Sequence, residues 1–496
     1  MATGALRAAC EEMGAVLIRA AHSANIKERR DCSTAVFDPR GQMVMQAEHI
    51  PVHLGAMPAA VAAVLDEQHE PGRSWILNDP FAGGTHLPDI TVVTPVFAGW
   101  AGTDWALIGF AASRAHHADV GGRVPGSMPA DSTTLEEEGV VIAPQPLTTR
   151  LVDELAKRMR QPKQRRADLR AQLAANATGA RRLAELAERL GPGRLAEATE
   201  AVLDYAERRT RAELERMDDG VREAVDVLEA REGDLELRLR AEVRGDELML
   251  DFAGSAPQHE GNLNCPRAVT ESACLFALRV LTDADIPASA GVTRPLRVLT
   301  EPGSILDARA PAAVAGGNVE TSSRVADLVL GAFGRALGQG TMNNLTLGND
   351  AFTYYETLGG GQGACPDADG PSGVHVAMSN TLNTPVEALE LEFPLTVVEY
   401  AVRRGSGGAG AFRGGDGIVR EVEALQEMTY SLITERRRHA PPGAAGGEPG
   451  ERGRNLVDGE ELPPKATGTL KPGQRLRIET PGGGGHGNPA NGRERR

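Results

Sequence analysis

The chain has 496 residues, 41% hydrophobic and 24% charged, with a formal net charge of −15. That length exceeds one compact core and predicts two or more domains of ordinary globular composition. The acidic balance excludes a nucleic acid or an anionic membrane as the main partner, and an aromatic content of 4% argues against a base-stacking or sugar-stacking platform.

Residues 5–22 have helical spacing of Leu6, Met13, Val16, Leu17 and Ala20. Thr34–Phe37 and Met43–Met45 read as a hairpin turned by Asp38-Pro39-Arg40-Gly41, and 56–67 reads as a helix. Ile90–Phe97 and Trp105–Ala112 are strands apolar enough to be buried on both faces. The stretch 149–232, rich in Ala, Leu, Glu and Arg and broken at Gly191-Pro192-Gly193, reads as three or four amphipathic helices whose charges are solvated faces. Strands return at Leu235–Arg240 and Glu247–Phe252, followed by a helix over 269–284. Residues 311–324 and 357–385 are loops rich in Gly, Asn, Thr and Ser, and a β-rich stretch from 401 to 487 leads into a disordered tail at 488–496. The expected class is α+β with several domains: an N-terminal α+β domain over 1–148, a helical segment over 149–232, an α+β domain over 233–400 and the β-rich C-terminal part.

Cys10, Cys32, Cys265, Cys274 and Cys365 are odd in number and include no CxxC, so neither a disulfide framework nor a zinc ribbon is expected and all five are structural thiols. The first residues lack a signal-peptide core, and no run reaches the ~18 apolar residues of a membrane span, so the expected location is cytoplasmic.

Seven of the eleven histidines lie before residue 120. There, Asn78–Asp89 and Ala115–Asp119 place His86, Asp89, His116, His117 and Asp119 next to Gly and Pro, where the backbone turns. A mixed His/carboxylate set suits Zn²⁺, Mn²⁺ or Fe²⁺ better than Ca²⁺ or Mg²⁺. Strand neighbours point to opposite faces, so one of His116 and His117 joins a given site, and Asp119 shares the face of His117. His49 and His53 flank Pro51 and are candidates for a further ligand or a general base. Arg29 and Arg30, in Lys27-Glu28-Arg29-Arg30-Asp31, form a candidate clamp for an anion or carboxylate of the substrate. Ala315–Ser322, with Asn318, has the flexibility and donors of an anion-binding loop, but neither a P-loop nor a GxGxxG unit occurs. Gly359–Gly363 and Gly482–Gly485 read as tight turns.

Nine segments together resemble the hydantoinase B/oxoprolinase family. They are Asn25–Asp31, Glu48–Gly55, Asn78–Asp89, Arg114–Gly122, Pro125–Met128, Asp251–Ser255, Pro311–Thr321, Thr384–Glu387 and Thr480–Gly487, spread over nearly the whole chain in the family's order. His486 departs from the pattern, standing where an aromatic residue is frequent. The resemblance implies the metal-bearing B-type subunit of an ATP-dependent hydrolase that opens a cyclic amide of the hydantoin or 5-oxoproline type. ATP would be bound by an A-type partner subunit, which phosphorylates the amide, in a hetero-oligomer. Carried onto this chain, the metal ligands fall on His86, Asp89 and His117. The metal lowers the pKa of a water that attacks the activated carbon, and Asp119, His53 or Glu48 orients that water or moves its protons. The same resemblance admits an acetone- or acetophenone-type carboxylase subunit. A scaffold subunit with a structural metal, docking partners through its helices, is the non-enzyme reading.

Overall fold

The computed structural model describes residues 2–48, 50–99 and 105–492, leaving out the side chains of Glu48, Pro192 and Asn491. Helices α1 (Ala2–Ala20) and α2 (Ala24–Lys27) lead into a six-stranded antiparallel sheet. Its strands are β1 (Cys32–Phe37), β2 (Met43–Glu48), β3 (Ser74–Leu77), β4 (Asp89–Ala98), β5 (Ala106–His116) and β6 (Gln145–Leu147), in the order β2-β1-β5-β4-β3-β6. The hairpin turn forms because Asp38 Oδ1 accepts from the backbone N–H groups of Arg40 (2.9 Å) and Gln42 (2.8 Å). Helix α3 (Ala56–Ala62) stops short of the expected 67, and α4 (Leu135–Glu138) is one turn.

Both faces of this sheet are covered, which is why its central strands read as continuous apolar runs. Ala35, Phe37, Phe110 and Ala112 meet Met57, Ala60 and Val61 of α3 (Ala56–Ala62). Val36, Ala111 and Ala115 pack with α1 and with Ala171, Ala175 and Leu183 of α6. Helix α6 (Pro162–Leu190) is flanked by α5 (Thr149–Arg158) and α7 (Pro192–Leu214). The helical reading of 149–232 runs too far, because β7 occupies Gly220–Glu229. Charged residues there obscure a period-two pattern that pairs with Asp234–Val243 over ten residues.

Strands β7, β8 (Asp234–Arg244), β9 (Glu247–Asp251) and β10 (Leu296–Leu299) form a second sheet, with β10 parallel to β9. Helices α8 (Arg267–Leu281) and α9 (Ser322–Ala332) complete its core. The expected loop at 311–324 contains one π-helical turn, Gly317–Thr321, running into α9. The remaining strands form two antiparallel sheets, and α10 (Val386–Glu392) packs beside β13. One sheet has the order β12-β11-β15-β18: β12 Thr353–Glu356, β11 Asn344–Gly348, β15 Met428–Ile433 and β18 Lys465–Leu470. The other has the order β13-β14-β19-β16-β17: β13 Leu395–Arg403, β14 Gly417–Ala424, β19 Arg475–Glu479, β16 Arg454–Val457 and β17 Glu460–Leu462. Leu345, Leu347, Leu432, Val422, Leu476 and Ile478 belong to the core that the two sheets share.

The glycine runs are not tight turns. Gly482–Gly485 is an extended segment with neighbours on several sides: Gly483 N donates to Gly415 O (2.9 Å), Gly484 N to Leu337 O (2.8 Å) and Gly485 N to Glu448 O (2.9 Å). These glycines are needed for close approach rather than for left-handed φ. A Cβ on Gly483 would lie 2.0 Å from Gln362 O, and one on Gly361 would lie 2.0 Å from Gly415 O. The physics is that of a crowded polyglycine bundle, where only hydrogen fits between backbones. Gly483→Ala is therefore expected to cost about 3 kcal/mol or more, read as a lower urea midpoint. A midpoint within error of the unaltered chain would refute the packing argument.

Cys10, Cys32, Cys265 and Cys274 are buried and unbridged, and Cys365 is exposed. Burial pushes the Cys10 thiol up to about 12. Among the described residues no helix is long and apolar enough to cross a membrane. The expected disordered tail opens instead with a short 3-10 turn, Pro489–Gly492, and its last part, 493–496, lies outside the described residues.

Candidate metal centre

The loop from Asn78 to Asp89 is shaped by its own polar groups. Asn78 Nδ2 donates to Leu87 O (2.7 Å) and Val140 O (2.9 Å), while Asn78 Oδ1 accepts from Ile142 N (2.6 Å). Asp79 O receives Gly84 N at 2.8 Å, and a Cβ on Gly84 would lie 2.3 Å from Asn78 O, so glycine closes the turn. The turn delivers His86 beside Asp89, the first residue of β4, which lies opposite His116, the last of β5.

Strand parity then decides between the two histidines. His116 shares the face of Phe110, Ala112 and Arg114, whereas His117 shares the face of Ala111 and Ala115 and turns to α6. There, His117 Nε2 lies 3.0 Å from Gln172 Oε1, and Gln172 Nε2 donates to Ile90 O (2.9 Å). The expected assignment of His117 as ligand is thus not matched by the geometry. The reason is that β5 runs to His116, four residues beyond the expected strand end.

One donor atom from each of His86, Asp89 and His116 lies within 4.8 Å of the others, and all three side chains are buried. His86 Nδ1 is 3.0 Å from Asp89 Oδ2 and His116 Nδ1 is 3.4 Å from Asp89 Oδ1. The Nε2 atoms of His86 and His116 have no hydrogen-bond partner among the described residues. Unpartnered buried imidazole nitrogens around a carboxylate are what a metal site looks like before its ion is placed, and two His with one Asp leave coordination positions open. The donor set therefore fits a divalent ion. Burial alone would raise the Asp89 pKa, but the imidazoles of His86 and His53 and the hydrogen bond from His116 hold it well below the usual carboxylate range. Burial lowers the His116 pKa, against the pull of Asp89, which favours the neutral ligand form.

The surrounding groups fix this triad. Thr85 Oγ1 donates to Asp89 Oδ2 (2.7 Å). His53, from the 3-10 turn Pro51–His53, holds Ser33 Oγ at 3.0 Å through Nδ1 and places Nε2 3.4 Å from Asp89 Oδ2. Arg114 donates to Thr91 Oγ1 (2.7 Å) and Gly83 O (3.1 Å), and burial lowers its pKa to about 10. The Tyr355 ring, from β12, stacks on His116 (4.2 Å, 20°), and the Arg29 guanidinium covers Tyr355 at 4.7 Å. Arg29 donates to Tyr355 O (2.9 Å), Thr357 Oγ1 (3.0 Å) and Thr381 Oγ1 (3.3 Å). Above the triad lies a small pocket, about 20 Å³ and so room for about one water, lined also by Asn318 from the π-turn and by Ser379.

The other predicted residues divide. His53 and Asn318 line this pocket, and Arg29 is buried behind its wall rather than clamping an anion. Arg30 is exposed with a positive φ of 58°. Asp119 is committed elsewhere: it accepts from Gly121 N (2.7 Å), Gly126 N (3.0 Å), Arg160 N (3.1 Å) and Arg160 Nη1 (3.0 Å), so it clamps a loop and does not line the pocket. The Glu48 side chain and all of His49 lie outside the described residues. Tyr355, Ser379, Asp31 and Arg114 join the site without having been expected; Asp31 and Arg114 lie in the segments Asn25–Asp31 and Arg114–Gly122 that carry the resemblance, whereas no motif marks Tyr355 or Ser379.

Comparison with known proteins agrees with this architecture. The chain is 40% identical to 5-oxoprolinase 1 of Arabidopsis thaliana across 96% of its own length, but it spans only 40% of that relative. It superposes on the ATP-dependent caprolactamase of Pseudomonas jessenii with a TM-score of 0.91 at 28% identity, covering 99% of this chain and 90% of that one. Acetone carboxylase shares the fold (TM-score 0.87, 17% identity, covering 98% of this chain and 75% of that one). The family model for hydantoinase B/oxoprolinase matches residues 1–489. Together with the sequence segments and the fold, these matches place the chain in the hydantoinase B/oxoprolinase family.

Proposed function

We propose that this chain is the metal-bearing part of an ATP-dependent hydrolase that opens a cyclic amide, with ATP used by an A-type partner polypeptide. The observation that carries the reading is the buried His86–Asp89–His116 triad lining a small pocket, with the Nε2 atoms of both imidazoles unengaged among the described residues. The likeness to a 5-oxoprolinase and to an ATP-dependent caprolactamase supports the reaction class.

His86, Asp89 and His116 would hold a Zn²⁺, Mn²⁺ or Fe²⁺ ion, which when bound supplies Lewis acidity beside the scissile carbon. Asp89 offsets the charge and is held in place by Thr85. His53, anchored through Nδ1 on Ser33, presents Nε2 to Asp89 and the pocket and moves the proton released when water attacks. Tyr355 and the apolar wall exclude bulk water from the activated carbon. The likeness to acetone carboxylase is one of fold alone and carries no chemistry.

The test is co-production with the A-type chain, metal analysis, and ATP consumption over hydantoins, lactams and 5-oxoproline, with bicarbonate and ketones as controls. ATP-linked ring opening is the expected result. Turnover confined to ketone plus bicarbonate, or none with any cyclic amide, would sink the proposal.

A further inference from the structure

A second cleft, of about 510 Å³, opens where the end of β13, the segment after β15 and the loop into β16 meet, and it shares no lining residue with the metal pocket. Four arginines line it, Arg403, Arg437, Arg452 and Arg454, against two carboxylates, Glu451 and Glu461. The chain as a whole carries a net charge of −15, so this is a local excess of cations on an acidic protein. A concave site of one sign concentrates ions of the other.

These arginines are under-compensated. Arg403 Nη2 meets Glu451 at 3.0 Å. Arg454 gives Nε (2.9 Å) and Nη2 (2.7 Å) to Glu479, which leaves its Nη1 unengaged among the described residues. Glu479 also takes Arg477 Nε at 3.0 Å and stands 3.6 Å from Arg403 Nε, so one carboxylate serves three guanidiniums. Arg452 is exposed and donates to Arg438 O (3.3 Å), with no carboxylate paired to it among the described residues.

Arg437 is buried, and its nitrogens go to Asn455 Oδ1 (2.8 Å), Asn343 Oδ1 (2.9 Å) and Glu435 O (2.7 Å), all uncharged acceptors. Burial lowers its pKa to about 10 against the pull of Glu320, Glu229 and Glu435, and Arg403 pushes the same way as burial. A desolvated cation without an ion pair is costly, and a bound anion offsets that cost. The loop beside it is built for close approach. A Cβ on Gly453 would lie 2.4 Å from Arg437 Nη1, so the loop closes on the guanidinium only because 453 is glycine. Its backbone is pinned by Gly450 N to Pro441 O (2.9 Å), Glu451 N to Ser406 O (2.7 Å) and Gly453 N to Arg436 O (3.0 Å). Arginines presented on a fixed backbone lose little further freedom when they bind.

Planar guanidinium forks match the oxygens of a phosphate group two by two. The cleft is large enough for more than one such group, and among the described residues no aromatic side chain lines it to stack on a base. Arg437 is nearly out of solvent, within reach of a small anion that enters the cleft but not of a flat acidic protein surface.

We infer that this cleft binds a small anion carrying a phosphoanhydride, held by the forks of Arg452 and Arg454 beside the buried Arg437 guanidinium. The inference is independent of the cyclic-amide reading.

Calorimetric titration of the full chain with inorganic pyrophosphate tests it, with no metal ion added and the chain's metal content followed throughout. Saturable binding tighter than ~1 mM is expected, weakening as salt is raised. Arg452→Ala and Arg454→Ala should each weaken it ~10-fold, and both sites are exposed enough to leave folding intact. Glu461→Gln, which removes a carboxylate from the lining, should tighten it ~3-fold. His86→Ala, at the metal centre, should leave it unchanged. ADP distinguishes the source of the phosphates: affinity equal to that of pyrophosphate marks a site that reads the phosphoanhydride alone, and a much tighter ADP assigns a nucleotide. Absence of saturable binding, or affinity unaltered in both arginine variants, overturns the inference. So does binding lost in His86→Ala, which would put the anion at the metal centre. Citrate or an oligoglutamate peptide binding as tightly as pyrophosphate also overturns it, in favour of an acidic partner.

Discussion

Replacing His116 with alanine is expected to reduce bound metal to background and turnover by at least ~10³-fold, whereas His117→Ala keeps the metal. The magnitude follows from losing Lewis-acid assistance worth several kcal/mol, at about 1.4 kcal/mol per decade of rate. The contrast between adjacent residues comes from parity. His116 has a free Nε2 and faces Asp89, while His117 is spent on Gln172 behind the sheet. His117→Ala should instead cost about 2 kcal/mol of stability, since Gln172 Oε1 loses a buried partner. Metal stoichiometry, turnover and urea midpoint on both variants check this. Loss of metal in His117→Ala with retention in His116→Ala would reverse the assignment. A His116→Ala chain that fails to fold would favour a structural metal.

The second large effect is expected at Arg29. Arg29→Ala should destabilise the protein by about 3–5 kcal/mol, because it strips a fully buried guanidinium from three acceptors and leaves Asp31 buried without its cation, 3.9 Å away. The loss reaches the metal as well. Arg29 covers one face of Tyr355 and His116 stacks on Tyr355, so a loosened Tyr355 frees the ligand ring. Weaker metal binding should therefore accompany the lower midpoint. Arg29→Lys restores charge but not the planar fork, and should recover only part of either quantity. A midpoint shift below about 1 kcal/mol in Arg29→Ala would show that the guanidinium is not the tie between the N-terminal strands and β12.

Much of the site's first half was legible because its signals are local. Asn78–Asp89 carries its own turn chemistry, with Asn78, Asp79 and Gly84 closing the loop that delivers His86 and Asp89. The hairpin at 32–48, the paired strands β4 and β5 and helix α8 were likewise readable from period and turn residues. The weak points were element ends and purposes. Whether His116 or His117 belonged to the site turned on how far β5 extended, which depends on pairing with β1 and β4 rather than on the residues of β5. Asp119 looked like a site residue from its neighbours, but backbone N–H groups and Arg160 claim it. The glycine runs suggested turns, and only contact between distant backbones shows that they are packed extended chains.

The sequence by itself determined the family, the α+β class and two of the three candidate ligands, since each rests on short segments whose chemistry is complete in place. The tertiary structure alone placed His116 rather than His117 beside Asp89 and built the Arg29–Tyr355–His116 stack. Those depend on residues hundreds of positions apart meeting across sheets, and such meetings follow from burial and strand parity summed over the whole fold, which no local pattern records.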